Sequence, residues 1–447
     1  MRIVVFFVAM LMIQGHRILA QEKTFVKEYT YKAGEMDSKI SCRAIATNQL
    51  RTELLNEIGV YVESEQLLKT VEVGGKFSQD FVENIATISA GVTKLEVLEE
   101  HWNGEIFWMK AAITVDRKSL EESLKQLVSD KQKVKEFEEL KLQLTHATKE
   151  LDRLKKEMET KGIKSDPKAE SLNTQKYNNE INTLIASDYF LKAKEKLLNF
   201  NYEGAKADYT KAIEFNPQDA NTYFSRGYVK EDLLDKKGAM IDYTKAIELN
   251  PQHHDAYRRR GLLKIWARDD IGAMADFTKA IELNPEDELS YAHRGLIKEY
   301  QDDIGAISDY TKAININEAR MQRKEVSVFF TQLANYRSYN GRGSSKLRLL
   351  DYRGAVVDFT KSIELLQENY DAYNGRGYSK MNLLDYKGAT ADFTKAIELD
   401  PNLGDAYYGR GISKISLQQK ESGCIDLSKA GELGDERAYE AIRDRCN

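Results

Sequence analysis

The stretch Asp242-Tyr243-Thr244-Lys245-Ala246-Ile247-Glu248-Leu249-Asn250-Pro251 is a sentence that the chain repeats. It returns as Asp276–Pro285, with Phe for Tyr, and as Asp392–Pro401, with looser copies at Asp208–Pro217, Asp309–Asn317 and Asp358–Leu366. The glycines that open the copies are Gly204, Gly238, Gly272, Gly305, Gly354, Gly388 and Gly423, at steps of 34, 34, 33, 49, 34 and 35 residues. A fixed period of this length marks a repeat array, in which each unit buries its apolar face against its neighbour.

Each unit reads as a helix A, a turn and a helix B. Helix A carries Tyr223, Arg226-Gly227 and Lys230, and helix B runs from Gly238 to about Asn250. The helix A pattern recurs at Tyr257, Arg260-Gly261, Lys264 and at Tyr291, Arg294-Gly295, Lys298. After the long step it returns at Tyr339, Arg342-Gly343, Lys346, then Tyr373, Arg376-Gly377, Lys380, then Tyr407, Arg410-Gly411, Lys414. The Gly lets helix A approach helix B, Ala239 and Ala246 keep that contact tight, and Tyr243 fills the gap to the next repeat. Pro217, Pro251, Pro285 and Pro401 each close a helix B, where proline ends a helix. Because Arg226 and Asp242 recur in nearly every copy, an internal ion pair explains them better than a binding role.

A period of 34 with Ala, aromatic, Ala and Pro at these offsets resembles the tetratricopeptide repeat (TPR) family over about 55% of the chain. The resemblance implies a mostly α fold, an α-solenoid of seven repeats over residues 186–434. The first repeat, near Ser187–Pro217, is degenerate, with Lys192-Ala193 in place of Arg-Gly. Asp435–Arg445 follows the last and reads as a capping helix. The 49-residue step holds an insertion at about 318–332; a lengthened helix or loop that preserves stacking is favoured over a protruding apolar element.

In TPR arrays helix A lines the groove, at the residues just after the conserved aromatic and just after the Gly. The resemblance therefore implies a groove of Phe190, Lys194, Phe224, Tyr228, Arg258, Leu262, Ala292 and Leu296, continuing through Asn340, Ser344, Asn374, Tyr378, Tyr408 and Ile412. Such a surface is apolar and aromatic with scattered polar groups. It lacks the Lys/Asn set with which chaperone-binding TPR domains grip a terminal carboxylate, and it suits an extended or helical peptide.

Ahead of the array the chain changes character. Arg2, the apolar run Ile3–Ile13 and Ile18-Leu19-Ala20 read as an export signal over residues 1–20, with cleavage expected after Ala20. Residues 21–117 predict a small α+β domain: a strand at Phe25–Tyr31, a long helix from Ile40, a strand near Thr70–Val73 and a helix at Ser78–Ile88. A hairpin follows, turning at Asn103-Gly104. Its Glu100–Trp108 and Ala111–Asp116 stretches resemble the N-terminal domain of flagellar assembly protein T and related small envelope lipoproteins. Residues 118–160 predict a long helix. Phe137, Leu144, Leu151 and Met158 recur every seven residues, with Leu140, Ala147 and Leu154 three on from the first three of them. Self-association as a coiled coil and packing back on a neighbouring domain both fit this seam. Residues 161–185 read as a flexible linker.

The balance of 66 basic and 71 acidic residues argues against a nucleic-acid binder. No apolar stretch after the signal is long enough to cross a membrane. Of three cysteines, Cys424 lies on the last helix B and Cys446 ends the capping helix; a bridge between them would staple the cap, leaving Cys42 as a thiol. No phosphate loop, His-Glu-x-x-His helix or Cys-x-x-Cys pair appears, so no catalytic residue, metal ligand or cofactor is expected. The reading that follows is an exported, periplasmic, non-enzymatic scaffold or adaptor holding a protein or peptide partner in the groove. The alternative is a structural component of an envelope or secretion assembly, a homo-oligomer formed through its N-terminal domain and residues 118–160.

Overall fold

The computed structural model describes residues 22–34, 37–64, 94–116, 120, 131–160, 167–299, 301–323 and 328–446. The chain divides into two compact units, residues 1–249 and 250–447. Among the described residues there are three strands and seventeen helices. The expected signal at 1–20, strand near Thr70 and helix at Ser78–Ile88 lie outside the described residues.

The first unit opens with β1 (Glu22–Lys32), α1 (Lys39–Ser64), β2 (Leu95–Trp102) and β3 (Ile106–Asp116). The sheet order is β1-β3-β2, both pairings antiparallel. The β2–β3 hairpin turns where Asn103 Oδ1 accepts from the amides of Glu105 and Ile106 at 3.0 and 2.7 Å, and Gly104 takes φ +100°. Central β3 carries the core. Phe107, Met109, Ala111, Ile113 and Val115 alternate along one face and are buried, as a half-covered strand requires. Cys42, Ala46, Leu50, Leu54 and Ile58 of α1, spaced every four residues, close that face. Burial pushes the Cys42 thiol up to about 11, so it is a core residue and not a reactive one.

Two long helices follow, α2 (Lys131–Thr160) and α3 (Pro167–Leu198). Ala147, Leu151 and Leu154 of the heptad seam pack on Tyr177, Ile181, Leu184 and Ile185 of α3, with Leu144 beside them. This part of the seam is spent inside the chain and is not open to a second copy. The side chains of Phe137, Leu140 and Met158 lie outside the description. The linker expected at 161–185 is corrected by α3, which is helical from Pro167, a residue suited to a first turn. Its polar composition hid the apolar stripe that gives α3 a partner. Arg51 of α1 donates to Asp188 of α3 at 2.8 Å, and Asn48 Nδ2 of α1 donates to Thr148 Oγ1 of α2 at 2.9 Å. Burial alone would raise the Asp188 carboxyl, but Arg51 and Lys192 beside it hold it below the usual range.

The C-terminal half of α3 is helix A of repeat 1. Its partner is α4 (Tyr202–Phe215), and α5 (Ala220–Asp232) and α6 (Lys236–Leu249) form repeat 2. The second unit holds repeats 3 to 7. They are the pairs α7 (His254–Trp266) and α8 (Asp270–Leu283), α9 (Glu288–Lys298) and α10 (Asp303–Gln322), and α11 (Val328–Arg348) and α12 (Tyr352–Leu365). The last two pairs are α13 (Tyr370–Asn382) with α14 (Tyr386–Leu399), and α15 (Gly404–Ser416) with α16 (Lys420–Glu432); α17 (Arg437–Arg445) ends the chain.

The recurring arginine and aspartate are an ion pair between the two helices of each repeat from the second onward. Arg342 donates to both oxygens of Asp358 at 2.9 and 2.6 Å, and Lys346 approaches the same carboxylate at 2.8 Å. Arg226–Asp242, Arg260–Asp276, Arg294–Asp309, Arg376–Asp392 and Arg410–Asp426 repeat the geometry. Arg342 also donates to Thr311 Oγ1 of the preceding repeat at 3.1 Å, as Arg376 does to Thr360. The second contact decides how the insertion is accommodated. Arg342 and Thr311 are 31 residues apart where Arg376 and Thr360 are 16 apart, yet the bond is the same. The extra residues lengthen α10 and α11 to 20 and 21 residues, against 13 and 14 in α13 and α14. A buried bond from Asn317 Nδ2 to Asn335 Oδ1 at 2.8 Å ties the extensions together. The described part of the insertion lengthens both helices and keeps the stacking.

Helix B aromatics fill the space between repeats. A Cβ on Gly375 would lie 2.3 Å from Phe359 Cζ, and one on Gly409 2.3 Å from Phe393 Cζ, so each ring sits where a side chain would be. Repeat 4 meets the same ring with His293, stacked on Phe277 at 5.6 Å. Burial, with Arg258 and Arg337 nearby and Asp287 opposing, lowers this imidazole from 6.5 to about 4. At the end of the array Cys424 and Cys446 are bonded, with Cα atoms 5.8 Å apart. The nine-residue α17 buries Ala438 and Ala441 and is too short to be stable alone.

Three measurements check this account. Arg342→Ala leaves Asp358 buried with Lys346 as its remaining cation, and should cost about 3 kcal/mol in denaturant unfolding. His293 stays neutral when folded but takes a proton when unfolded, so stability is full above about pH 6.5 and falls as the pH drops toward about 4. Between about pH 7.5 and 5 the loss attributable to it should be about 2 kcal/mol, and a His293→Gln variant should lack that component. Reducing Cys424–Cys446, which closes a loop of 22 residues, should remove about 3 kcal/mol and expose the α17 amides to hydrogen exchange.

Candidate functional site

Within the second unit each helix A touches the helix A of the next repeat as well as its own helix B: α7 meets α9, α9 meets α11, α11 meets α13, α13 meets α15, and α15 meets α17. The A helices thus form a continuous layer, and the groove positions lie along it. Their environments differ from the expected apolar, aromatic lining.

Several of the aromatic residues are packing groups. Phe190 meets Tyr209 edge-on at 5.4 Å, Phe224 meets Tyr243 at 5.6 Å, and Tyr378 meets Phe393 at 5.0 Å. Each of these partners belongs to helix B of the same repeat, so the rings help to join the paired helices. Lys194 lies over the Phe190 ring at 5.3 Å. Tyr228 and Leu296 present exposed surface. Helices α5 and α9 therefore offer apolar contact at one groove position each.

Polar groups dominate in the second unit. Arg258 lies between Asp255 and Asp287, the latter at 3.0 Å. Burial alone would lower its pKa, but these two carboxylates hold it above the ordinary arginine value. Asn374 Nδ2 donates to Asp405 Oδ2 at 2.7 Å, and Tyr378 donates to Asp405 Oδ1 at 2.7 Å and to its backbone carbonyl at 2.8 Å. Burial, and then the Asp405 charge, raise the Tyr378 phenol above its ordinary range, so it is a neutral donor. The Arg437 guanidinium covers the Tyr408 ring at 4.4 Å.

Two atoms stand out. Asn340 Oδ1 and Asn374 Oδ1 are buried and accept no hydrogen bond. They occupy the same position on the A helices of consecutive repeats, and the bond from Asn374 Nδ2 to Asp405 fixes which atom of that amide is left over. A buried carbonyl oxygen without a donor costs on the order of 1–3 kcal/mol.

Sequence alone does not single out the groups that organise this layer: Asp405 beside Asn374, and Asp255 and Asp287 beside Arg258, with His293 stacked on Phe277. The acids do share a signal, since Asp255, Asp287 and Asp405 lie at or next to the start of a helix A, where acidic residues are favoured. Among the described residues no group of three or more His, Cys, Asp or Glu could hold a metal ion, and no helix is long and apolar enough to cross a membrane. In the first unit a cavity of about 750 Å³ lies between α1, β2 and α3. Its Arg51 and Lys192 share Asp188, Lys196 pairs with Asp208 at 2.5 Å, and Lys94 meets Glu195 at 3.3 Å.

A tetratricopeptide repeat family model matches residues 189–219, 220–253 and 370–403. No curated protein matches the sequence. Similar solved structures include a tetratricopeptide repeat protein from Parabacteroides merdae, 20% identical, covering 59% of this chain and 99% of that one with a TM-score of 0.37. Another is the C-terminal part of a TPR repeat-containing protein from Cytophaga hutchinsonii, 16% identical, covering 57% and 99% with a TM-score of 0.42. A third is YrrB, described as a TPR protein with an unusual peptide-binding site, 19% identical, covering 53% of this chain and 97% of that one with a TM-score of 0.29. The period, the paired helices and the family matches agree: residues 189–253 and 370–403 match tetratricopeptide repeats, within an array of helix pairs of that fold.

Proposed function

We propose that the chain is an exported, non-enzymatic scaffold that binds an extended segment of a partner protein along the A-helix layer of repeats 3 to 7. The observation that carries this reading is the pair of buried, unmatched acceptors Asn340 Oδ1 and Asn374 Oδ1, one repeat apart. Acceptors that are buried and unfilled favour a ligand that brings N–H donors at regular spacing, as an extended backbone does. Tyr378 and Asp405, beside Asn374, are already bonded within the chain, so they add orientation at little cost in entropy.

Export rests on the signal-like residues 1–20 and is supported by the Cys424–Cys446 bond, since such bonds persist in oxidising compartments. The N-terminal sheet, with its resemblance to the flagellar assembly protein T domain, serves in this reading as the tether to the envelope. Assembly through residues 118–160 has less support, because Leu144–Leu154 of the seam packs on α3.

The test is capture from an envelope extract by the full chain beside its Asn340→Ala/Asn374→Ala double variant. A discrete set of partners should fall in yield by about tenfold or more, as expected for two lost hydrogen bonds of about 1 kcal/mol each. Equal recovery by both proteins, with matched thermal midpoints, would overturn the reading.

A further inference from the structure

We propose that the A-helix layer ends at repeats 6 and 7 in a subsite for a cationic side chain, arginine or lysine, of the bound segment, and that the chain's own Arg437 fills it in the free molecule. This deepens the groove reading and rests on it.

The subsite is built around Asp405, in the first turn of α15. Asn374 and Tyr378 of α13 donate to its two carboxylate oxygens, which fixes the carboxylate's orientation. Tyr408 lies three residues further along α15, so its ring and the carboxylate share one side of the helix. A carboxylate beside an aromatic face is the environment that guanidinium and ammonium groups take: charge-assisted hydrogen bonds on one side and the negative face of a ring on the other. Arg437 shows the fit, donating to Asp405 while its Cζ lies 4.4 Å from the Tyr408 centroid.

Arg437 is placed to yield. The side chains of Arg437 and Asp405 are 52% and 39% exposed, whereas the arginine and aspartate of the pair inside repeat 7, Arg410–Asp426, are 15% and 6% exposed. Arg437 also donates to Asp435 at 2.9 and 2.6 Å, so leaving Asp405 does not strand its charge. Its helix stands where a further helix A would stand, packed on both α15 and α16. The Cys424–Cys446 bond holds that helix independently of Arg437. Removing the side chain therefore vacates the subsite without releasing the cap.

The experiment uses the full chain and its Arg437→Ala variant, titrated with N-acetyl-arginine amide and, as the neutral isostere, N-acetyl-citrulline amide. Binding is followed by isothermal calorimetry or by the methyl resonance of Ile412. The variant should bind the arginine probe about tenfold more tightly than the citrulline probe, and about tenfold more tightly than the parent protein does. Adding Asp405→Asn to the variant should abolish the preference. Arg437→Gln should repeat the result of Arg437→Ala. Equal affinity for the two probes, no binding of either, or no difference between parent and variant would overturn the subsite. Because the probe is a single amino acid, the result is independent of Asn340. Partner loss in the asparagine variant without probe discrimination would sink the subsite alone, while discrimination with unchanged partners would sink the groove reading alone.

Discussion

One buried carboxylate per repeat sets the geometry of the array. Each helix B aspartate from repeat 2 onward is gripped on both oxygens by an arginine of its own helix A and met by a lysine one turn further on. Such a pair stabilises less than its Coulomb energy suggests, because both charges leave water. Its value is geometric. A bidentate fork is satisfied at one distance and one rotation, so it sets how helix A crosses helix B. In repeats 4 to 7 the same guanidinium reaches a threonine of the preceding repeat, and the pair inside one unit also registers it on its neighbour. This explains how an insertion can lengthen two helices while the stacking continues.

Repeat 1 departs from this scheme. Lysine replaces arginine at position 192, and a lysine cannot make the fork. Lys192 turns instead to Asp188, which also receives Arg51 from the N-terminal domain, and Lys196 is left to meet Asp208. The irregular first repeat is thereby suited to what precedes it: its helix A has a second partner besides the array. The apolar face of α3 toward α2 has the same origin, since a helix flanked by another element on each side needs two buried stripes.

The A-helix layer is polar where its function is proposed to reside. Carboxylates and guanidiniums there pair with one another, while among the described residues the amide oxygens of Asn340 and Asn374 are among the buried atoms without a hydrogen bond, and a half-exposed ion pair ends the layer. In a low-dielectric setting an unmatched acceptor is costly, and its persistence at the same position in two consecutive repeats points to a ligand more directly than exposed apolar surface would.

The period of 34, the small residues at the crossing and the recurrent Arg and Asp determined the solenoid, the pairing of helices and the ion pair from sequence alone, because each is a local pattern repeated until chance is excluded. The alternation of β3 and the Asn103-Gly104 turn did the same for the hairpin. Two things were decided by tertiary structure. The heptad seam at Leu144–Leu154 offered either a second copy or a neighbouring helix, and only the position of α3 chose between them, since apolar periodicity tells that a face is buried but not by what. The groove positions were legible by register, yet whether Phe224 faces a ligand or Tyr243, and whether Asn374 has an oxygen to spare, depends on side chains far away in sequence. The repeated sentence that makes the fold readable is therefore its interior; the residues with something left to bind became visible once their neighbours were in place.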